Sequence, residues 1–248
     1  RRAARGAALS GRLARGEMSF AKARVQGRTH RLIASRFPTI GVFDDIALSE
    51  EELRVAFLLE DLTNARSHAR LDAMPVGGVV SGPSAYLAMA AFLHCSDEGS
   101  RFTDGRLGAW YASSDVATAM AETVFHHERR LKLSAGGFPA RIQMRELTVR
   151  LNAELVDIRR AQASHPELYD AQDYSGSQAF ARTLRWPFGE PGEDGLVFDS
   201  VRRAGGTNVC IFRPTALPLP IRQGDHYEYI WDAAGALTVV KLTMVRRG

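Results

Sequence analysis

The reading of the fold turns on residues 194–212, where DGLVFDSV (194–201) and TNVCIF (207–212) flank the connection RRAGG. Both flanks are short apolar runs of the kind that form buried strands. The connection ends in two glycines, which adopt positive φ without steric penalty, so the pair reads as a β-hairpin. YEYIW (227–231) and LTVVKLTMV (237–245) flank DAAGA and predict a second hairpin. Upstream, GAWYAS (108–113) reads as a short strand, and PARIQMRELTVRL (139–151) as one strand or a strand with a bulge. Arg31, in THRLIASRFP, opens the first plausible strand. Hairpins interrupted by helices, without regular βαβ spacing and without GxGxxG after a strand, predict an α+β fold with a mixed or antiparallel sheet.

The helices carry recognisable ends. Ser49 can cap a helix whose first turn holds Glu50, Glu51 and Glu52, with the pattern running to about residue 71. After the breaker-rich PVGGVVSGP (75–83), YLAMAAFLH (86–94) is apolar on most sides and predicts a buried helix. Ser114 or Asp115 caps VATAMAETVFHHERRLKL, whose last turn holds Arg129, Arg130 and Lys132. DYSGSQAFARTLRW predicts another helix from about Tyr174.

The 248 residues are 45% hydrophobic and 24% charged, which suits one globular domain with or without an added module. The pI of about 9.3 points toward nucleic acid only until the charge is located. Residues 1–16 hold Arg1, Arg2, Arg5, Arg12 and Arg15 and no acid, so this +5 exceeds the chain's +4 and the body is near neutral. Residues 1–17 are thus expected to be a flexible basic arm, either without catalytic relevance or binding a partner or nucleic acid. No apolar run is long enough to span a membrane, and Cys95 and Cys210 are too few for a disulfide framework. A cytoplasmic location is the expectation.

Several residues could carry chemistry, and each has a plainer reading. Glu122 lies off the apolar stripe of its helix (Val116, Ala119, Met120, Thr123, Val124), so it is either a solvated partner of His126 or Arg129 or a catalytic carboxylate. Glu122 and His126 also have an i, i+4 metal-ligand spacing, but HExxH is absent. Ser200 ends a strand and either satisfies a turn or orients a ligand; no GxSxG surrounds it. Asn208 begins the return strand and falls near Ser200 across the hairpin. Arg31 is a surface arginine or a fork for a phosphate. Tyr111 packs or presents its ring to a base or ribose.

In order, these segments resemble the RES-domain family, toxins of bacterial type II toxin–antitoxin systems named after dispersed Arg, Glu and Ser residues. The resemblance rests on HRLIASRFP (30–38), SRFTDGRLGAWYASSDVATAMAETVFHHE (100–128), HPELYDAQDYSGSQAFARTLR (165–185), DGLVFDSVRRAGGTNVCIFRP (194–214) and HYEYIWDAAGALTVVKL (226–242). WPFGEPGE (186–193) is a longer connection than the family pattern. The resemblance implies one domain over 18–248 with a helical insertion at about 49–94. It also implies a fold like that of ADP-ribosyltransferases, with NAD⁺ as co-substrate in a cleft between the halves of a split sheet. The family's arginine, glutamate and serine fall on Arg31, Glu122 and Ser200. Glu122 and Ser200 become the catalytic pair; Arg31, Tyr111, Arg101 and Asn208 become the NAD⁺-binding set, with no metal required. The implied activity is cleavage of the nicotinamide–ribose bond, with ADP-ribose passing to water, phosphate or a host protein and growth arrested. The implied partner is an antitoxin carrying a helix-turn-helix. The competing readings are a non-catalytic module binding nucleic acid or a partner through residues 1–16, and a metal-dependent hydrolase on Glu122 and His126.

Overall fold

The computed structural model describes residues 18–35, 49, 51–52, 55, 65–72 and 74–243. Its elements are β1 (Lys22–Ala34), α1 (Ala65–Asp72), α2 (Ala85–Leu93), β2 (Trp110–Ser113), α3 (Val116–Leu133), β3 (Ala140–Asp157), α4 (Ser175–Leu184), β4 (Gly195–Asp199), β5 (Thr207–Ile211), β6 (Arg222–Trp231) and β7 (Leu237–Leu242). The arm at 1–17 and most of 36–64 lie outside the described residues. Within the predicted helix from Ser49, the backbone N–H of Glu52 donates to Ser49 Oγ at 3.1 Å while Ser49 N–H donates to the Glu52 carboxylate at 2.9 Å. This reciprocal pair is a capping box.

Both predicted hairpins form. Asp199 lies opposite Thr207 between β4 and β5, and Ser200 N–H donates to the Gly206 carbonyl at 2.8 Å, with Gly205 at φ 74°. Trp231 lies opposite Leu237 between β6 and β7. The sequence leaves residues 139–151 open to one strand or a strand with a bulge, and the register of β3 against β6 shifts between Arg145 and Leu147.

Three strands are longer than their patterns suggest. β1 begins nine residues before Arg31, in polar sequence held by antiparallel pairing to β3 along its whole length. β3 continues from 151 to Asp157 for the same reason, and β6 starts at Arg222 against Thr148 of β3. Pairing with a neighbour overrides weak local propensity here.

The seven strands form one mixed sheet in the order β1-β2-β5-β4-β3-β6-β7, with β1 and β3 also paired. That extra pairing closes β1, β2, β5, β4 and β3 into a ring. Two of its seams are short: β1 meets β2 at His30↔Ser113, and β3 meets β4 in parallel at Val156↔Leu196 and Asp157↔Val197. Since β1 occupies one edge of β3, the other edge serves β6 over 140–148 and β4 at 156–157, and the sheet splits between them.

Each ring strand sends residues into a single interior core: Val25 and Ile33 from β1, Trp110 and Ala112 from β2, Leu147 to Leu155 from β3, Val197 from β4, and Val209 and Ile211 from β5. Helix α2 adds Leu87, Ala88 and Phe92. The opposite faces of β4 and β5, with Phe198 and Cys210, pack outside the ring against Phe180, Ala181 and Leu184 of α4.

Helix α3 crosses the outside of the ring, and the sequence explains its placement. Asp115 is the cap, accepting from Thr118 N–H at 2.9 Å, and Arg130 and Lys132 stand in the last turn. The predicted stripe faces the sheet: Ala119 is buried, and the partly buried Val116, Met120 and Val124 pack with Leu32, Met144 and Tyr229, while Thr123 Oγ1 lies 2.9 Å from the Tyr229 hydroxyl. With that stripe turned toward β1, β3 and β6, Glu122 faces the β4–β5 hairpin. Among the described residues no helix is long and apolar enough to cross a membrane.

Candidate active site

Glu122 is held by both arms of the hairpin. Ser200 Oγ and Asn208 Nδ2 each donate to Glu122 Oε1 at 2.7 Å, across 78 and 86 residues of chain. Asn208 is 4% exposed and is itself fixed, because Ser113 Oγ donates to its Oδ1 at 2.7 Å. Ser113 lies directly opposite Asn208 in the β2–β5 ladder, so three elements lock one carboxylate oxygen. Among the described residues Oε2 has no hydrogen bond. The glutamate is therefore rigidly oriented, with one oxygen committed to the protein and one left over.

Ser200 is fully engaged. Its hydroxyl donates to Glu122 and accepts from the backbone N–H groups of Arg202 and Arg203, both at 3.1 Å. A hydroxyl has one donor and two acceptor positions, so all three are occupied. This geometry orients Glu122 and leaves no serine lone pair free to attack. The tight fit continues at Gly206, where a Cβ would stand 2.7 Å from both Thr118 Cγ2 and Oγ1. Glycine is what lets the hairpin lie against the first turn of α3.

Tyr111 points to the same side as Ser113, two residues along β2. Its hydroxyl accepts from Ser100 Oγ and from Phe102 N–H, both at 2.9 Å, and burial pushes its pKa well above the ordinary phenol value. Arg101 is 7% exposed and donates to the carbonyls of Leu168 at 3.1 Å and Asp170 at 2.8 Å. Its guanidinium lies 4.7 Å from the centre of the Tyr174 ring. Burial lowers its pKa, and among nearby charges Arg202 adds to the lowering while Glu122 opposes it.

Arg31 is not brought to this cluster. On β1 it pairs with Leu147, its guanidinium sits 5.1 Å from the centre of the Trp110 ring, and its Nη1 donates to the Tyr111 carbonyl at 3.0 Å. Trp110 and Leu147 belong to the interior core of the ring, whereas Asn208 and Tyr111 face outward. Burial draws the Arg31 guanidinium down to about 10. What it does here is tie β1 to β2 at a seam with one residue pair.

His126 and His127 close the account. His127 is buried beside Tyr229, and no group of three or more His, Cys, Asp or Glu among the described residues could hold a metal ion. Two residues of the cluster were not singled out from sequence: Ser113, which the two-residue period places beside Tyr111, and Arg202, which follows Ser200 by two positions.

No curated protein matches the chain. Among solved structures, a chain of the M. tuberculosis MbcT–MbcA toxin–antitoxin complex is similar at 13% identity and a TM-score of 0.41, covering 90% of this chain and 87% of that one. The RES domain model matches residues 79–232, which takes in Arg101, Tyr111, Glu122, Ser200 and Asn208 but not Arg31. With more than half its length matched, the chain belongs to the RES-domain family.

Proposed function

We propose that the protein cleaves NAD⁺ at the nicotinamide–ribose bond and transfers ADP-ribose to an acceptor. The observation that carries this reading is the Glu122 carboxylate, with Oε1 fixed at 2.7 Å by Ser200 and Asn208 and Oε2 uncommitted. As the C1′–N bond breaks, its electron pair leaves with neutral nicotinamide and positive charge develops on the ribose. A preoriented anion stabilises that charge without reorganising during the step. The acceptor's lone pair then forms the new bond to C1′, and its proton passes to Glu122. Ser200, Asn208 and Ser113 hold the carboxylate in place, and Tyr111 frames the same side of β2.

Glu122→Gln keeps the shape and removes the charge. In a nicotinamide-release assay it is expected to lose about a hundredfold or more, the scale of one lost electrostatic stabiliser. Full activity of the variant would refute the role of Glu122. Incubation of the wild type with labelled NAD⁺ and lysate identifies the acceptor: label on one band indicates a protein, and label in free ADP-ribose or its phosphate indicates water or phosphate. The same reading makes the protein a cytoplasmic toxin that arrests growth, held inactive by a cognate helix-turn-helix antitoxin covering the cleft.

A further inference from the structure

The outside of the ring carries a basic face that takes no part in the Glu122 cluster. Val25 of β1 and Val149, Leu151 and Ala153 of β3 belong to the interior core, so alternation turns Arg24, Gln26 and Arg28, with Arg150 and Asn152, outward. All five are exposed. Helix α3 covers this outer face only at its other end, around Leu32 and Met144. Arg28 stands directly opposite Arg150 in the β1–β3 ladder. Arg222 of β6 lies opposite Thr148, two residues before Arg150, and is exposed as well. Opposite side chains in a ladder start about 5 Å apart and diagonal ones about 7–8 Å, so these three arginines spring from one small area. Among the described residues none of Arg24, Arg28, Arg150 and Arg222 forms a salt bridge. Of the acids on the same face, Glu146 is held by His30 and by the N–H of Asp225, and Glu154 lies opposite Arg24, four residues along from Arg150.

Like charges directly opposite one another destabilise a ladder, so Arg28 and Arg150 oppose the pairing in which they sit. Anions lying over them reverse the sign of that interaction. The face consists of arginines and amides, with no apolar or aromatic group among Arg24, Gln26, Arg28, Arg150, Asn152 and Arg222. The centre of a protein interface is instead apolar and depleted of charge. Without aromatic rings the face also offers unpaired bases nothing to stack on. We infer that it binds the phosphate backbone of a nucleic-acid duplex, without reading sequence. The charge is continuous with the basic arm: residues 1–28 hold eight arginines and lysines against the single acid Glu17. A near-neutral total for the rest of the chain conceals this local excess. The inference stands apart from the NAD⁺ reading, since no residue of the face bonds Glu122, Ser200 or Asn208.

Fluorescence anisotropy with a labelled random-sequence DNA duplex and the full chain tests this. The logarithm of the affinity should fall linearly with that of the salt concentration, with a slope of ~0.9 per phosphate neutralised. Combining Arg28→Gln, Arg150→Gln and Arg222→Gln should weaken binding by about tenfold or more at about 0.1 M salt and reduce the slope by about 2–3. Arg129→Gln, Arg130→Gln and Lys132→Gln together remove the same charge from the end of α3 and should leave the slope unchanged. A chain without residues 1–17 should still bind the duplex and still respond to the three face substitutions. Poly-L-glutamate, an acidic polypeptide, should bind more weakly than the duplex. Arg28→Glu, which turns the repelling pair into an attractive one, should raise the thermal midpoint while weakening duplex binding. Circular dichroism confirms folding, and Arg28→Glu serves if the triple face variant is unfolded. The inference is overturned by a wild-type chain that does not bind the duplex, or by a folded face variant with wild-type affinity and slope. An equal loss in the α3 variant, loss of all binding with residues 1–17, or polyglutamate binding as tight as that of the duplex overturns it too. A lowered midpoint in Arg28→Glu would show that Arg28 serves the fold, and removes the premise.

Discussion

Replacing Asn208 with Asp exchanges one amide nitrogen for oxygen at a point 2.7 Å from Glu122 Oε1. An ionised carboxylate cannot donate there, so the change removes a hydrogen bond and sets two anions together. With ~4 Å between charge centres and an effective dielectric of ~20, the repulsion is about 4 kcal/mol. That energy corresponds to about a thousandfold in a proton dissociation constant. The introduced carboxyl therefore holds its proton to near neutrality, far above the ordinary carboxylate range. While protonated it donates to Glu122 as the amide did. Because the affinity for the proton is raised, the native arrangement is intact at low pH and is lost as pH rises. Nicotinamide release by Asn208→Asp, relative to wild type, should fall by about ten- to a hundredfold between about pH 5.5 and pH 8, the worth of a hydrogen bond to a charged group. The thermal midpoint of the variant should fall over the same window, independently of any substrate. Asn208→Ala, which has nothing to titrate, should be impaired by a constant factor. A flat pH profile for the Asn208→Asp to wild-type ratio, in both activity and melting, refutes the donor geometry assigned to Asn208.

Two further perturbations probe the frame around the site. Burial, followed by the charges of Arg130 and His126, holds His127 at about 4 in the folded chain, while an unfolded histidine titrates near ~6.5. A depressed histidine favours the fold above the unfolded value, and that contribution disappears as pH falls toward 4, by up to about 3 kcal/mol. His127→Phe, packed against Tyr229, should flatten the acid limb of stability measured by urea denaturation at about pH 7 and pH 4.5; an equal acid loss in both proteins would rule out His127 as the source. Gly206→Ala drives a methyl group to 2.7 Å from two atoms of Thr118. It should cost about 1–3 kcal/mol and lower activity by moving Ser200 off Glu122, and Thr118→Ala should restore part of both. No restoration in the double variant would place the damage elsewhere.

The parts of the fold legible in the sequence are those fixed by short-range chemistry. The two glycines after Arg203 and the turn at Asp232–Ala236 announced their hairpins, and Asp115 and Ser49 announced their helix starts. The stripe Val116, Ala119, Met120 and Val124 correctly predicted which side of α3 is buried. What was not legible depends on partners distant in the chain. Residues 22–30 carry few strand signals and are extended because 148–156 lie beside them. Closure of the ring through a β1–β3 pairing, and the split of β3 between β6 and β4, involve registers that no local pattern encodes.

The same distinction separates Glu122 from Arg31. Both were ordinary surface candidates by periodicity, and both gained roles from resemblance. For Glu122 the fold supplies what periodicity could not: two donors from a hairpin some 80 residues away, each at 2.7 Å, on the side of α3 opposite its buried stripe. For Arg31 the alternation of a strand sets the side on which its side chain lies. Its neighbour Leu32 packs with Ala119 of α3, so by alternation Arg31 faces inward, over Trp110. A sequence match fixes a residue's position along β1 but not the side of the ring on which that position emerges.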